Sequence, residues 1–220
     1  ADRKFDKKVS RTKDRPIASG KVSVGIGFFY SVILCLLALA VLLNFNKLTI
    51  LLALGSMPLA FTYPLMKRYT YWPQLFLGIT FNYGLILGWT SVTNEIDIVP
   101  LIFYMGAIFW TLGYDTIYGF QDVKDDEIIG LKSTSIKFKK KPIIFLYICY
   151  SIFLVGLFLS SYLMELNKLS FVVYLIVILN LYYFQLNKLD IKLPSNCLKI
   201  FKSNNLIGLM VFLGLLVGKL

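Results

Sequence analysis

Seven apolar runs constrain this chain more than any other feature. An uncharged run of about 18 or more residues is long enough to cross the hydrocarbon of a bilayer as a helix. Candidates fall at 24–44, 48–66, 73–93, 98–120, 142–163, 169–186 and, shorter, 204–218. In hydrocarbon every backbone N–H and C=O must be satisfied internally, so each run is expected to form a helix. Only 16% of the 220 residues are charged, against about a quarter in a soluble domain. The expected fold class is an all-α, polytopic membrane helical bundle.

Seven spans joined by short connections alternate across the membrane. With residues 1–23 on one side, the connections at 67–72, 121–141 and 187–203 lie there too. That side collects 20 of the 23 Lys and Arg residues, leaving Lys47, Lys168 and Lys219 on the other. By the positive-inside rule the basic side faces the cytoplasm, or the matrix of a mitochondrion. A basic face alone is an orientation signal with an attraction to anionic headgroups. The clustering of carboxylates within that face goes beyond it.

The missing residue types narrow the chemistry. There is no histidine, which removes imidazole acid–base catalysis and His-ligated metals. Cys35, Cys149 and Cys197 are widely spaced, the first two inside spans and the third expected in a loop. An odd total with no CxxC reads as packing rather than disulfides or soft-metal ligation. A metal in this chain would be held by oxygen, which points to magnesium or a similar hard cation. GLKST at 130–134 lacks the earlier glycine of a phosphate-binding loop and follows no strand.

In YDTIYGFQDVKDDE, residues 114–127, five acids close an apolar run. On one continuous helix Asp115, Asp122 and Asp126 fall within roughly 40° of each other at about 100° per residue. Asp2 and Asp6 are likewise four apart. Like charges at that spacing destabilise a helix. A divalent cation bridging carboxylates to a polyphosphate reverses the penalty, since magnesium typically binds one or two carboxylates plus phosphate oxygens. Tyr63, Lys67 and Arg68 in YPLMKR end another span on the same face, and Lys67 with Arg68 can neutralise phosphate charge. Arg11, Lys13 and Arg15 are further cationic candidates, with a solvated basic loop as the plain alternative. Aromatic residues are abundant, and those lining a pocket can shield a carbocation through their π faces.

These stretches closely resemble the UbiA superfamily of intramembrane prenyltransferases, its 4-hydroxybenzoate polyprenyltransferase branch in particular. Asp2 and Asp6 match the aspartates of the first motif, NxxxDxxxD, and VSRTKDRPIASG matches the basic stretch that follows it. Residues 114–134 match the second, YDxxYxxxDxxDDxxxGxxST, with Asp122 and Asp126 as its pair. Tyr63 and Lys67 match YxxxK. KRYTYWPQLFLG and FNYGLILGW are similar to the 4-hydroxybenzoate branch more than to the haem, chlorophyll or menaquinone branches. Members of the superfamily have nine helices, and the first motif's asparagine would precede Ala1. The resemblance therefore implies one transmembrane prenyltransferase domain over 1–220, cut at its N-terminus, with seven helices of nine present.

The resemblance also implies an activity: magnesium-dependent transfer of a polyprenyl group from its diphosphate to the ring of 4-hydroxybenzoate, an early step of ubiquinone biosynthesis. Asp2, Asp6, Asp122 and Asp126 would hold Mg2+. Arg11, Arg15, Tyr63, Lys67, Arg68 and Tyr118 would bind substrate. Lys67 and Arg68 would also act on the leaving group, and Asp115 would be the proton acceptor or orient a metal ligand. The expected partners are polyprenyl diphosphate, 4-hydroxybenzoate and the lipid bilayer, with no nucleic acid and no protein partner inferable. The expected place is an inner membrane, bacterial in preference to mitochondrial, with the active face towards cytoplasm or matrix. Another aromatic acceptor is the alternative within the class. A carboxylate-using transporter is the alternative outside it, and that would place charges near span midpoints on both halves.

Overall fold

The computed structural model describes residues 3–7, 9 and 12–220. Two short helices, α1 (Arg3–Asp6) and α2 (Pro16–Ser19), precede the bundle. Seven helical stretches long and apolar enough to cross a membrane follow: Val24–Leu42, Lys47–Arg68, Pro73–Thr93, Ile98–Gly119, Pro142–Leu163, Lys168–Leu186 and Pro194–Val217. Among the described residues there is no strand.

Local chemistry sets the span ends. Ser23, Asn46, Asp97 and Asn167 each accept a backbone N–H of the turn they open; the last three sit on the face poor in Lys and Arg. Pro73, Pro142 and Pro194 occupy first-turn positions on the opposite face, where no N–H partner is needed. The first span is α3 (Val24–Leu42), and no residue in it is buried. The second is α4 (Lys47–Thr62), which tightens into a 3₁₀ turn over Tyr63–Arg68. The third breaks at Asn82 into α5 (Pro73–Phe81) and α6 (Gly84–Thr93). The Asn82 amide donates to Gly78 O, Ala107 O and Thr111 Oγ1, so the break is tied to the next span.

That next span, α7 (Ile98–Gly119), is the centre of the bundle. It packs on α5, on α10 (Pro142–Leu163) and on α12 (Pro194–Val217). At its contact with α10 two glycines face each other. A Cβ on Gly156 would stand 3.0 Å from Gly106 Cα and 3.1 Å from Ile102 O. Lipid tails are as apolar as leucine, so this close backbone approach is a main source of helix–helix attraction. A polar cluster links the same region to the sixth span, formed by α11 (Lys168–Ile178) and a π-helical continuation over Leu179–Leu186. There Tyr150 donates to Gln185, and Gln185 and Trp110 both donate to Asn204.

Three sequence expectations are corrected. The last span starts at Pro194, ten residues before 204, because Lys199 and Lys202 ride on the helix with long side chains that reach outward. Cys197 therefore lies buried in α12 rather than in a loop. Cys149 is also buried, whereas Cys35 is exposed on α3.

The chain does not continue as one helix through the acidic stretch either. α7 ends at Gly119, a turn follows, and α8 runs Val123–Ile128 with Asp122 at its N-cap position. Asp115 thus belongs to one helix, and Asp122 and Asp126 to the start of another. The single-face geometry expected for the three does not form.

Candidate active site

Among the hollows at the basic ends of the spans, two share Lys67 and Asp126 as a wall. The smaller, about 130 Å³, is lined by Asp6, Thr12, Arg15, Lys67, Asp122 and Asp126 with two apolar neighbours. The other, about 250 Å³, is lined by Tyr63, Lys67, Gln74, Asp115, Asp126 and Lys132, together with Ser133, Leu77 and the rings of Pro64 and Pro73. Lys67 and Asp126 belong to both.

Carboxylates from two separate segments meet at the smaller hollow. Thr12 Oγ1 donates to the Asp6 backbone carbonyl at 3.0 Å, closing the loop between α1 and α2. The Arg15 guanidinium reaches Asp6 Oδ1 at 3.1 Å. On the facing segment Asp126 N donates to Asp122 O, and Leu131 N to Asp126 O. This turn fixes both aspartates at the mouth. Asp2 and Arg11, also expected here, lie outside the described residues.

The larger hollow owes its shape to α9 (Thr134–Phe138) and the segment before it. Thr134 Oγ1 bonds Thr116 Oγ1 at 2.6 Å, and Ser135 Oγ donates to Thr116 O at 2.7 Å. Lys132 N donates to Lys67 O at 2.8 Å. The GLKST stretch is thereby sewn to α7 on one side and to the 3₁₀ turn on the other. Gly119 makes the fit possible, because a Cβ there would lie 2.4 Å from Ser135 Oγ.

Tyr63 and Lys67 both face this second hollow, and Asp115 lines it half-buried. Asp115 does not line the smaller hollow. Arg68 is half-buried beside Lys67 and lines neither. Tyr118 packs its ring 4.5 Å from that of Phe201 and is likewise outside both linings. Gln74, Lys132 and Ser133 went unread as site residues. Gln74 is one of two amides, with Asn82, within the apolar run 73–93, and its one signal was that polarity.

Another hollow, of about 470 Å³, lies deeper, between α5, α7 and α12. Phe81, Trp110, Tyr114 and Phe201 form its aromatic wall. Trp110 is held by stacking on Phe153 at 5.1 Å and by its N–H on Asn204 at 2.8 Å. Along α7 it lies about a turn and a half inside Asp115.

The donor set of the smaller hollow fits a hard cation. Asp6, Asp122 and Asp126 offer only carboxylate oxygens, the ligands magnesium prefers. Among the described residues no three acids stand close enough to form a ready-made metal cage. That is compatible with magnesium, which completes its shell with water and phosphate oxygens.

Comparison with known proteins agrees with these features. The model of the UbiA prenyltransferase family matches residues 1–213. The chain is 44% identical over its whole length to the mitochondrial 4-hydroxybenzoate polyprenyltransferase of Bos taurus, and 42% identical to that of Homo sapiens. It spans 59% of the length of each. It is 41% identical to 4-hydroxybenzoate geranyltransferase 2 of Lithospermum erythrorhizon, covering 72% of that protein. A solved structure, the apo form of a UbiA homolog from Aeropyrum pernix K1, superposes with a TM-score of 0.80 at 21% identity. The match covers all of this chain and 82% of the other. The family model and these sequence relatives show that this chain belongs to the UbiA prenyltransferase family.

Proposed function

We propose that this chain carries the transfer of a polyprenyl group from polyprenyl diphosphate to the ring of 4-hydroxybenzoate, as an early step of ubiquinone biosynthesis in an inner membrane. The observation that carries the reading is the smaller hollow, where Asp6, Asp122 and Asp126 from two segments face Arg15 and Lys67. A pyrophosphate group matches that mixture of hard oxygen ligands and cations. Relatives 41–44% identical bear the name of the same acceptor.

Asp6, Asp122 and Asp126, with Asp2, would hold Mg2+, which when bound neutralises the diphosphate and makes it a better leaving group. Lys67 and Arg15 add fixed positive charge where the departing oxygen gains electrons. The C–O bond to the allylic carbon breaks and its electron pair leaves with the diphosphate. The prenyl chain lies in the deeper hollow, where Trp110, Tyr114 and Phe201 present π faces to the allylic cation and exclude water. The ring carbon beside the phenol hydroxyl supplies the electron pair of the new C–C bond. Asp115 takes the proton released from that carbon, which restores aromaticity.

The test is an assay of membranes carrying the protein with 4-hydroxybenzoate, a polyprenyl diphosphate and magnesium. Prenylated acid should accumulate and should vanish with chelator. Product formation that persists without any divalent cation, or no product from this acceptor while another aromatic is prenylated, contradicts the reading.

A further inference from the structure

Gln74 stands out among the polar residues near the site. It is 7% exposed, and its Oε1 accepts the Thr134 N–H at 3.0 Å, which fixes the orientation of the amide. Among the described residues its Nε2 donates to none, yet it is not one of the sealed-off polar atoms, and the side chain lines the 250 Å³ hollow. An oriented amide N–H that opens on a hollow and has no protein acceptor is placed to donate to a ligand oxygen there. Lys132 lines the same space. Its Nζ donates to the neutral Tyr69 carbonyl at 3.2 Å and stands 5.7 Å from the centre of the Tyr71 ring, and among the described residues it forms no ion pair.

The remaining lining is equally specific. Pro64, Pro73 and Leu77 offer flat apolar surface, and Asp115 offers a hydrogen-bond acceptor. The volume lies below the roughly 300–1,000 Å³ of pockets for drug-sized ligands, so it suits a single ring. Donors, apolar surface and a carboxylate acceptor together describe a small aromatic acid that also bears a hydroxyl group. We propose that this hollow is the acceptor site, with the ligand's carboxylate on Lys132 and Gln74 Nε2 and its phenol hydroxyl towards Asp115. The shared wall of Lys67 and Asp126 then sets the ring beside the diphosphate. The assignment rests on the reaction proposed above, and it adds Gln74 and Lys132 as the residues that select the acid.

Gln74→Glu separates recognition from folding. It keeps the oxygen that accepts from Thr134 N and replaces the donor with an acceptor. Lys132→Met removes the cation and keeps the length of the stem. In membranes carrying the full chain, each variant should raise the KM for 4-hydroxybenzoate at least tenfold, with the KM for polyprenyl diphosphate within twofold. The preference for 4-hydroxybenzoate over phenol, which lacks the carboxylate, should fall at least tenfold in both variants. Equilibrium binding of 4-hydroxybenzoate to the purified protein reads the hollow without turnover, and each variant should weaken it at least tenfold. An unchanged KM and Kd for the acid, or a parallel rise in the KM for the diphosphate, overturns the assignment. If the unaltered chain prenylates no aromatic acid but binds this one in a Gln74-dependent way, the reaction fails and the anion site stands.

Discussion

Asp115 and Asp126 are eleven residues apart and differ in one respect that governs what each can do. Asp126 lines both hollows, whereas Asp115 lines only the larger one. A metal-holding role suits the first and a proton-accepting role the second. Asp115→Asn should therefore lower kcat by 10²–10³-fold, in the range of a lost general base, and leave the KM for polyprenyl diphosphate within twofold. Steady-state kinetics with both substrates varied checks this split. A rise in that KM equal to the fall in kcat would return Asp115 to the metal. The site's acids were legible as residue types at motif spacing. Gln74 was not, because what distinguishes it is an unmatched N–H in a cavity, and that exists only once α5, α7 and α9 have come together.

At the scale of elements, periodicity served well where a helix is uninterrupted and failed where it breaks. The runs 73–93 and 142–163 coincide with their spans. The acidic stretch gave no sign of the turn after Gly119, since its acids keep helical spacing across the break. The last span's first turns were hidden by Lys199 and Lys202, which end an uncharged run without ending a helix. The most demanding contact between elements is that of Gly106 with Gly156. Gly156→Ala places a methyl against Gly106 Cα and the Ile102 carbonyl, both backbone atoms that cannot turn aside. An overpacking penalty of about 1–3 kcal/mol is expected, with α7 pushed from α10 and the site's acids displaced with it. Thermal unfolding in detergent should show a lowered midpoint, and Gly55→Ala, which meets nothing within 4 Å, should not.

For the molecule as a whole, the charge asymmetry and the site make the same demand. All residues lining the two hollows lie on the face that holds 20 of the 23 Lys and Arg residues or in the span turns next to it. Single cysteines introduced at Lys124 and Lys168, in a background lacking Cys35, should react with an impermeant thiol reagent from opposite sides of sealed vesicles. Lys124 should label from the same side as Lys21. Labelling of both from one side would break the alternation on which the topology depends. Above this stands the convergence of Asp6 and Asp126, from distant parts of the chain, on one pyrophosphate-sized space. Binding of inorganic pyrophosphate to the purified protein, with and without magnesium, measures that convergence without substrate or turnover. Magnesium-dependent binding, weakened at least tenfold by Asp6→Asn and again by Asp126→Asn, is the expected result. Binding indifferent to magnesium, or to either aspartate, would contradict it.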